Sequence, residues 1–234
     1  MFTLLEWLDV SAILWFLGCW KGYSLYSSKR SRAIPSISST LDLYRMDWMQ
    51  NVLKSPHRVA DANVAGNLER NGAFFASSSL LIIAGILTAI GYTDQALLIF
   101  KDLPWAKVSP LQWEVKLALL LVVFIYSFFK FTWSMRQYNF CSVMISSAPL
   151  VDDPSVSPAA RKAFAKSAAK VANLAGDAFN QGLRSYYFAL AVLSWFVHPV
   201  AFIVVSAIVV TILYHREFRS RALKALRSGK VFDE

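Results

Sequence analysis

The stretch Tyr186–Tyr214, YYFALAVLSWFVHPVAFIVVSAIVVTILY, decides how this chain is threaded. It runs 29 residues without an Asp, Glu, Lys or Arg, and His198-Pro199 near its middle is the main interruption. About 20 apolar residues cross a bilayer core, so two readings stay open. The stretch dips in and returns, turning at His198-Pro199, with each half too short to span and the turn shielded by protein. Alternatively it is one tilted, Pro-kinked crossing, about 44 Å long at 1.5 Å per residue.

Three more apolar segments lie upstream, at about 4–26, 72–92 and 115–135. The first carries Trp7, Trp15 and Trp20; it lacks a basic start and an Ala-x-Ala-like cleavage site, and reads as a retained helix. Between the segments lie polar stretches. Residues 40–71 carry two helices, the first capped by Thr40 with Leu41, Tyr44, Trp48 and Val52 at helical spacing. Ser55-Pro56 ends it and opens the second, Ser as N-cap and Pro at the first helical position. Ser157-Pro158 opens a long amphipathic helix over 158–185 that feeds the fourth segment. The expected fold is therefore all-α: a polytopic helical membrane protein with an amphipathic cytoplasmic helical layer and a basic tail over 215–234.

Composition agrees. Of 234 residues, 56% are hydrophobic and 17% charged, against about 45–50% and about 25% in an ordinary soluble domain. Disordered tails, disulfide scaffolds and ordinary soluble domains are excluded. The net charge of +9 flanks the apolar runs, which favours anionic lipid headgroups over nucleic acid as partner. Lys and Arg crowd residues 27–71 and 136–185, whereas Asp94, Asp102 and Glu114 offset Lys101 and Lys107 in the loop 94–114. The positive-inside rule then puts the N-terminus and that loop outside, and the polar mass in the cytoplasm of a bacterial inner membrane. The basic tail conflicts with four full crossings, which would place it outside.

The run Phe128-Phe129-Lys130-Phe131-Thr132-Trp133-Ser134, followed by Arg136-Gln137-Tyr138-Asn139, resembles a bacterial and plant membrane-protein family catalogued as domain of unknown function 599. Phe74-Phe75-Ala76-Ser77, Arg45 with Trp48-Met49, Gly182-Leu183-Arg184 with Tyr186-Tyr187-Phe188, and Leu213-Tyr214 with Arg216-Glu217-Phe218 are similar too. Where the family often has Arg-Arg before Glu-Phe, this chain has His215-Arg216. The resemblance covers most of the chain and implies architecture and location; it transfers no catalytic residue.

Several polar groups stand out for their setting. Lys130 lies deep in the third segment, where an ionisable group costs several kcal/mol on insertion scales. It lines a conduction path, contacts an anion, or snorkels to the interface. Asn63, Asn67 and Asn71 form an i,i+4 row, which lines a polar path or glues helices. Arg58 and Asp61 are i,i+3 neighbours, and Arg45, Asp47, Arg70, Arg136 and Asn139 extend the polar network. His198 is a proton-responsive gate or a satisfied packing residue. Lys162, Lys166 and Lys170 form a basic stripe for anionic headgroups. Ala168, Ala172, Gly176 and Asn180 form a small-residue stripe that faces protein, and together with the aromatic content this fits a homo-oligomer. Cys19 and Cys141 offer neither a disulfide framework nor metal spacing, and no phosphate loop, nucleophile elbow or zinc motif occurs. No cofactor, metal or catalytic residue is expected. Two functions follow: an oligomeric channel or transporter-like pore, or a non-conducting scaffold whose basic face binds anionic lipid or a protein partner.

Overall fold

A computed structural model describes residues 4–31, 33–55, 57–95, 109–150 and 152–229. These residues form seven helices: α1 (Leu4–Arg30), α2 (Ile37–Val52), α3 (Val59–Gly91), α4 (Pro110–Ser146), α5 (Pro158–Trp195), α6 (Pro199–Arg219) and α7 (Arg221–Ser228). No strand occurs among them. By length and composition, three helical runs are apolar enough to cross a membrane: α3 (Val59–Gly91), α4 (Pro110–Ser146) and Pro199–Ser228, which takes in α6 and α7.

Local chemistry sets the boundaries. Ser36, rather than Thr40, caps α2: its hydroxyl accepts from the Ser39 amide at 3.1 Å, and the Ser39 hydroxyl accepts from the Ser36 amide at 2.9 Å. This reciprocal box satisfies two otherwise orphaned N–H groups, and Thr40 is buried inside the helix. The helix expected at Ser55-Pro56 begins later, at Val59. Ser55 instead closes a turn, accepting from the His57 amide at 3.3 Å; Pro56 lies outside the described residues. Once begun, α3 runs unbroken from the polar 59–71 stretch through the second apolar segment. Ser157 caps α5 as expected, accepting from the Ala160 amide at 3.1 Å. Pro104, Trp105, Lys101 and Lys107 of the loop 94–114 lie outside the described residues.

The described residues fall into two compact units. The first is drawn from 1–30, 77–128 and 181–216. Its α1 contributes Ala12, Phe16, Trp20 and Tyr23, a buried stripe at helical spacing. The 29-residue stretch resolves here into two helices that double back, because α5 ends at Trp195 and α6 starts at Pro199. Trp195 stacks on Phe202 at 5.2 Å, while farther along both arms the Arg216 guanidinium donates to the Tyr187 hydroxyl. Such pairing defines an antiparallel hairpin turning at 196–198. Phe16 packs against both arms, on Phe188 at 5.8 Å and Phe202 at 5.0 Å. The expectation that each arm is too short fails for the second arm, since α6 continues to Arg219 within a run apolar enough to cross a membrane; α5, although it begins at Pro158, is not one of the three such helices.

The second unit is drawn from 31–76, 129–180 and 217–234. Its core is small: Ala165, Ala168, Ala169 and Ala172 of α5 meet Met49, Val52, Cys141 and Ile145. Phe75, Phe131 and Phe179 form a separate ring cluster, with centroids 5.1–5.7 Å apart. Helix α7 is tied to α2 by the Tyr44 hydroxyl, which donates to the Leu226 carbonyl at 2.8 Å.

Candidate functional site

The densest polar constellation lies in the second unit and centres on Arg45. One turn earlier on α2, Asp42 accepts from its guanidinium at 3.0 Å. Asn173 of α5, with its amide oriented to donate, reaches the same carboxylate at 3.1 Å. The Tyr138 hydroxyl of α4 hydrogen-bonds Arg45, and Asp177 of α5 accepts from the Ser38 hydroxyl at 3.2 Å. Glu217 accepts from the Ser38 amide at 3.1 Å. Gly176 explains how a guanidinium fits: a Cβ there would collide with the terminal atoms of Arg45. Burial pushes the Asp42 carboxyl above its usual range, Asp177 adds to the rise, and Arg45 opposes it. The arrangement joins α2, α4, α5 and the end of α6. The guanidinium pairs with Asp42, while Asp177 and Glu217 accept from Ser38, an arrangement that ties the helices together as a structural clamp.

Other predicted residues are placed differently. Arg58 and Asp61 do not pair. Arg58 donates to the carbonyls of Ala148 and Pro149, the latter at 2.8 Å, and Asp61 accepts from Trp48 Nε1 at 2.7 Å. The three Asn of the row are exposed, and Asn67 accepts from Arg70. Asp47 and Lys130 are half-buried. Arg136 is exposed and lies over Phe140 at 5.7 Å. With Glu69, Trp133 and Asn139 these two line a surface groove of about 690 Å³, whose lining includes neither Lys130 nor the Asn row. His198 is exposed, and its Nδ1 accepts from the Val200 amide at 3.1 Å. Lys162, Lys166 and Lys170 are all exposed, while Ala168, Ala172 and Gly176 are buried within the chain and Asn180 is half-buried. In the second apolar segment, Ser79 bonds across to the Tyr186 hydroxyl at 3.0 Å.

One constellation escaped the sequence reading. In the first unit Asp9 accepts from Trp195 Nε1 at 2.7 Å and from Gln112 Nε2 at 3.3 Å. Lys116, only 5% exposed, lies over the Trp195 and Phe196 rings at 5.6 and 5.8 Å. Asp9 and Trp195 stand 186 positions apart, so no spacing pattern announces them. The polar atoms satisfy one another where three helices meet.

The outward faces complete the picture. On α6, Val204, Ile208 and Ile212 are 46–50% exposed while Phe202, Ser206, Val209 and Leu213 are buried. A helix apolar on both faces suits lipid outside and protein inside. Leu81 and Leu87 of α3 and Val122 of α4 are exposed likewise. These features define a multi-pass helical membrane protein. The chain belongs to the family of proteins of unknown function DUF599, which matches it over residues 11–222. No curated protein and no solved structure matches it.

Proposed function

We propose that this protein is a non-conducting inner-membrane scaffold whose basic helical face binds anionic lipid headgroups. The observation that carries the reading is the division of α5: Lys162, Lys166 and Lys170 exposed along one face, with alanines closing the other. Each cation near an anionic surface contributes about 1 kcal/mol. Helix α7 adds Arg221, Lys224 and Arg227, all exposed, around a buried Leu223. The hairpin at 196–198 supports an orientation as well. If α1, α3, α4, the end of α5 and α6 each pass the apolar layer, the tail returns to the side of residues 31–58. Both basic regions then face the cytoplasm, as the positive-inside rule requires. A pore draws less support, because Asn67 is engaged by Arg70, His198 by a backbone amide, and rings fill the first unit.

The test is a nitroxide at Ser167→Cys, an exposed position beside Lys166, in lipid nanodiscs. Phosphatidylglycerol in place of phosphatidylcholine is expected to immobilise the label. Replacing the three lysines with Ala, or raising salt so that the screening length falls toward 3 Å, is expected to abolish the difference. An identical spectrum in both lipids refutes the reading. Conduction through reconstituted protein that changes in Lys130→Ala would put the pore in its place.

A further inference from the structure

We infer that a furrow between α1 and α6 holds one acyl chain of an anionic phospholipid, with the phosphate at a basic rim. The furrow lies wholly in the first unit and has a volume of about 540 Å³, inside the range of small-molecule sites, roughly 300–1,000 Å³. Trp15, Cys19, Gly22 and Tyr26 form one wall, and Ala207 and Tyr214 belong to the other. Trp15 Nε1 donates to the Ile203 carbonyl at 3.2 Å and ties the two helices together at one end. At the other end the Tyr26 and Tyr214 rings approach to 6.3 Å.

Length and charge select the occupant. From Trp15 to Tyr26 a helix rises roughly 16 Å, at 1.5 Å per residue, about half a hydrocarbon core of about 30 Å. The furrow therefore has the depth of one leaflet. Beyond the tyrosine end come Lys29 and Arg30 on α1, both exposed, and His215 and Arg216 on α6. An apolar slot one leaflet deep, opening at a cluster of cations, matches a lipid tail joined to an anionic headgroup. Gly22 borders the slot, and a Cβ there would meet no heavy atom within 4 Å, so a long side chain at this position has open space to fill. Gly18 is equally open and equally exposed but lies outside the lining, which makes it a matched control.

The inference does not rest on the lysine stripe of α5, and its test separates the two. Full-length protein in mild detergent is titrated with phosphatidylglycerol and, separately, phosphatidylcholine, and bound lipids are counted by native mass spectrometry. One phosphatidylglycerol per chain is expected to persist. Gly22→Leu, and independently Ala207→Leu from the facing wall, are expected to weaken it about tenfold, which is about 1.4 kcal/mol. Gly18→Leu and the Lys162/Lys166/Lys170 triple variant are expected to retain it. Replacing Lys29, Arg30 and Arg216 together with Ala should reduce phosphatidylglycerol to the level of phosphatidylcholine. Wild-type occupancy in both furrow-filling variants, equal retention of the two lipids by wild type, or loss in the triple lysine variant each overturns the inference.

Discussion

The two units solve the packing problem with opposite materials. The first is filled with rings: Phe16, Phe188, Trp195 and Phe202 are each at most 1% exposed and touch one another in pairs. The second, apart from its Phe75–Phe131–Phe179 cluster, is packed around alanines of α5, so backbones approach closely and the space between helices admits polar side chains such as Arg45. Large rings hold helices through buried area, whereas a small-residue interface depends on close contact and directed hydrogen bonds. The consequence is a different response to mutation: the ring core suffers when volume is removed, the alanine core when volume is added.

Trp195→Ala is the strongest way to break that contrast. It removes a stacked ring and the donor to Asp9, and is expected to cost about 3–5 kcal/mol, read by detergent denaturation followed with circular dichroism. The complementary change, Ala172→Leu in the second unit, adds volume to a site that is 0% exposed and is expected to cost roughly 1–3 kcal/mol. Equal tolerance of both changes would erase the distinction.

A double-mutant cycle sharpens it at Gly176. Gly176→Ala drives a methyl into the Arg45 guanidinium, which must swing away from Asp42, at a cost of roughly 1–2 kcal/mol. Arg45→Ala alone leaves Asp42 half-buried without its cation and is expected to cost roughly 2 kcal/mol, short of a fully buried pair because the carboxylate keeps some water. In the Arg45→Ala background the sign at Gly176 should reverse, since alanine is favoured over glycine inside a helix by roughly 0.5–1 kcal/mol. Additive effects would show that the glycine serves something other than the guanidinium.

What the sequence made legible follows from what periodicity encodes. The helical class, three apolar spans, the exposed lysines and buried alanines of α5 and the Ser157 cap are all local patterns of spacing. Arg45 stood among the polar candidates, but Tyr138, which hydrogen-bonds it, and Asn173 and Asp177, which bear on its partner Asp42, come from other helices, and only helix pairing brings them together. Asp9 and Lys116 remained hidden for the same reason. The misplaced starts of α2 and α3 have a different origin: at α2 several serines compete for the cap and Ser36 wins through its partner Ser39, while before α3 the Ser55 hydroxyl is taken by the His57 amide.

His198 is the smallest effect and the clearest illustration. The rule used for Ser157-Pro158, a cap residue followed by Pro at the first helical position, applies equally to His198-Pro199. Read that way, the residue caps a helix: its Nδ1 accepts the Val200 amide where α6 starts. His198→Ala should therefore cost roughly 0.5–1 kcal/mol, with faster hydrogen exchange confined to the first turn of α6. His198→Asn, whose side-chain oxygen can take the same amide, should restore most of that loss. A gate would respond differently, because neither stability nor local exchange would separate Asn from Ala. Failure of Asn to rescue would remove the cap, and with it the account of why the hairpin turns at this point.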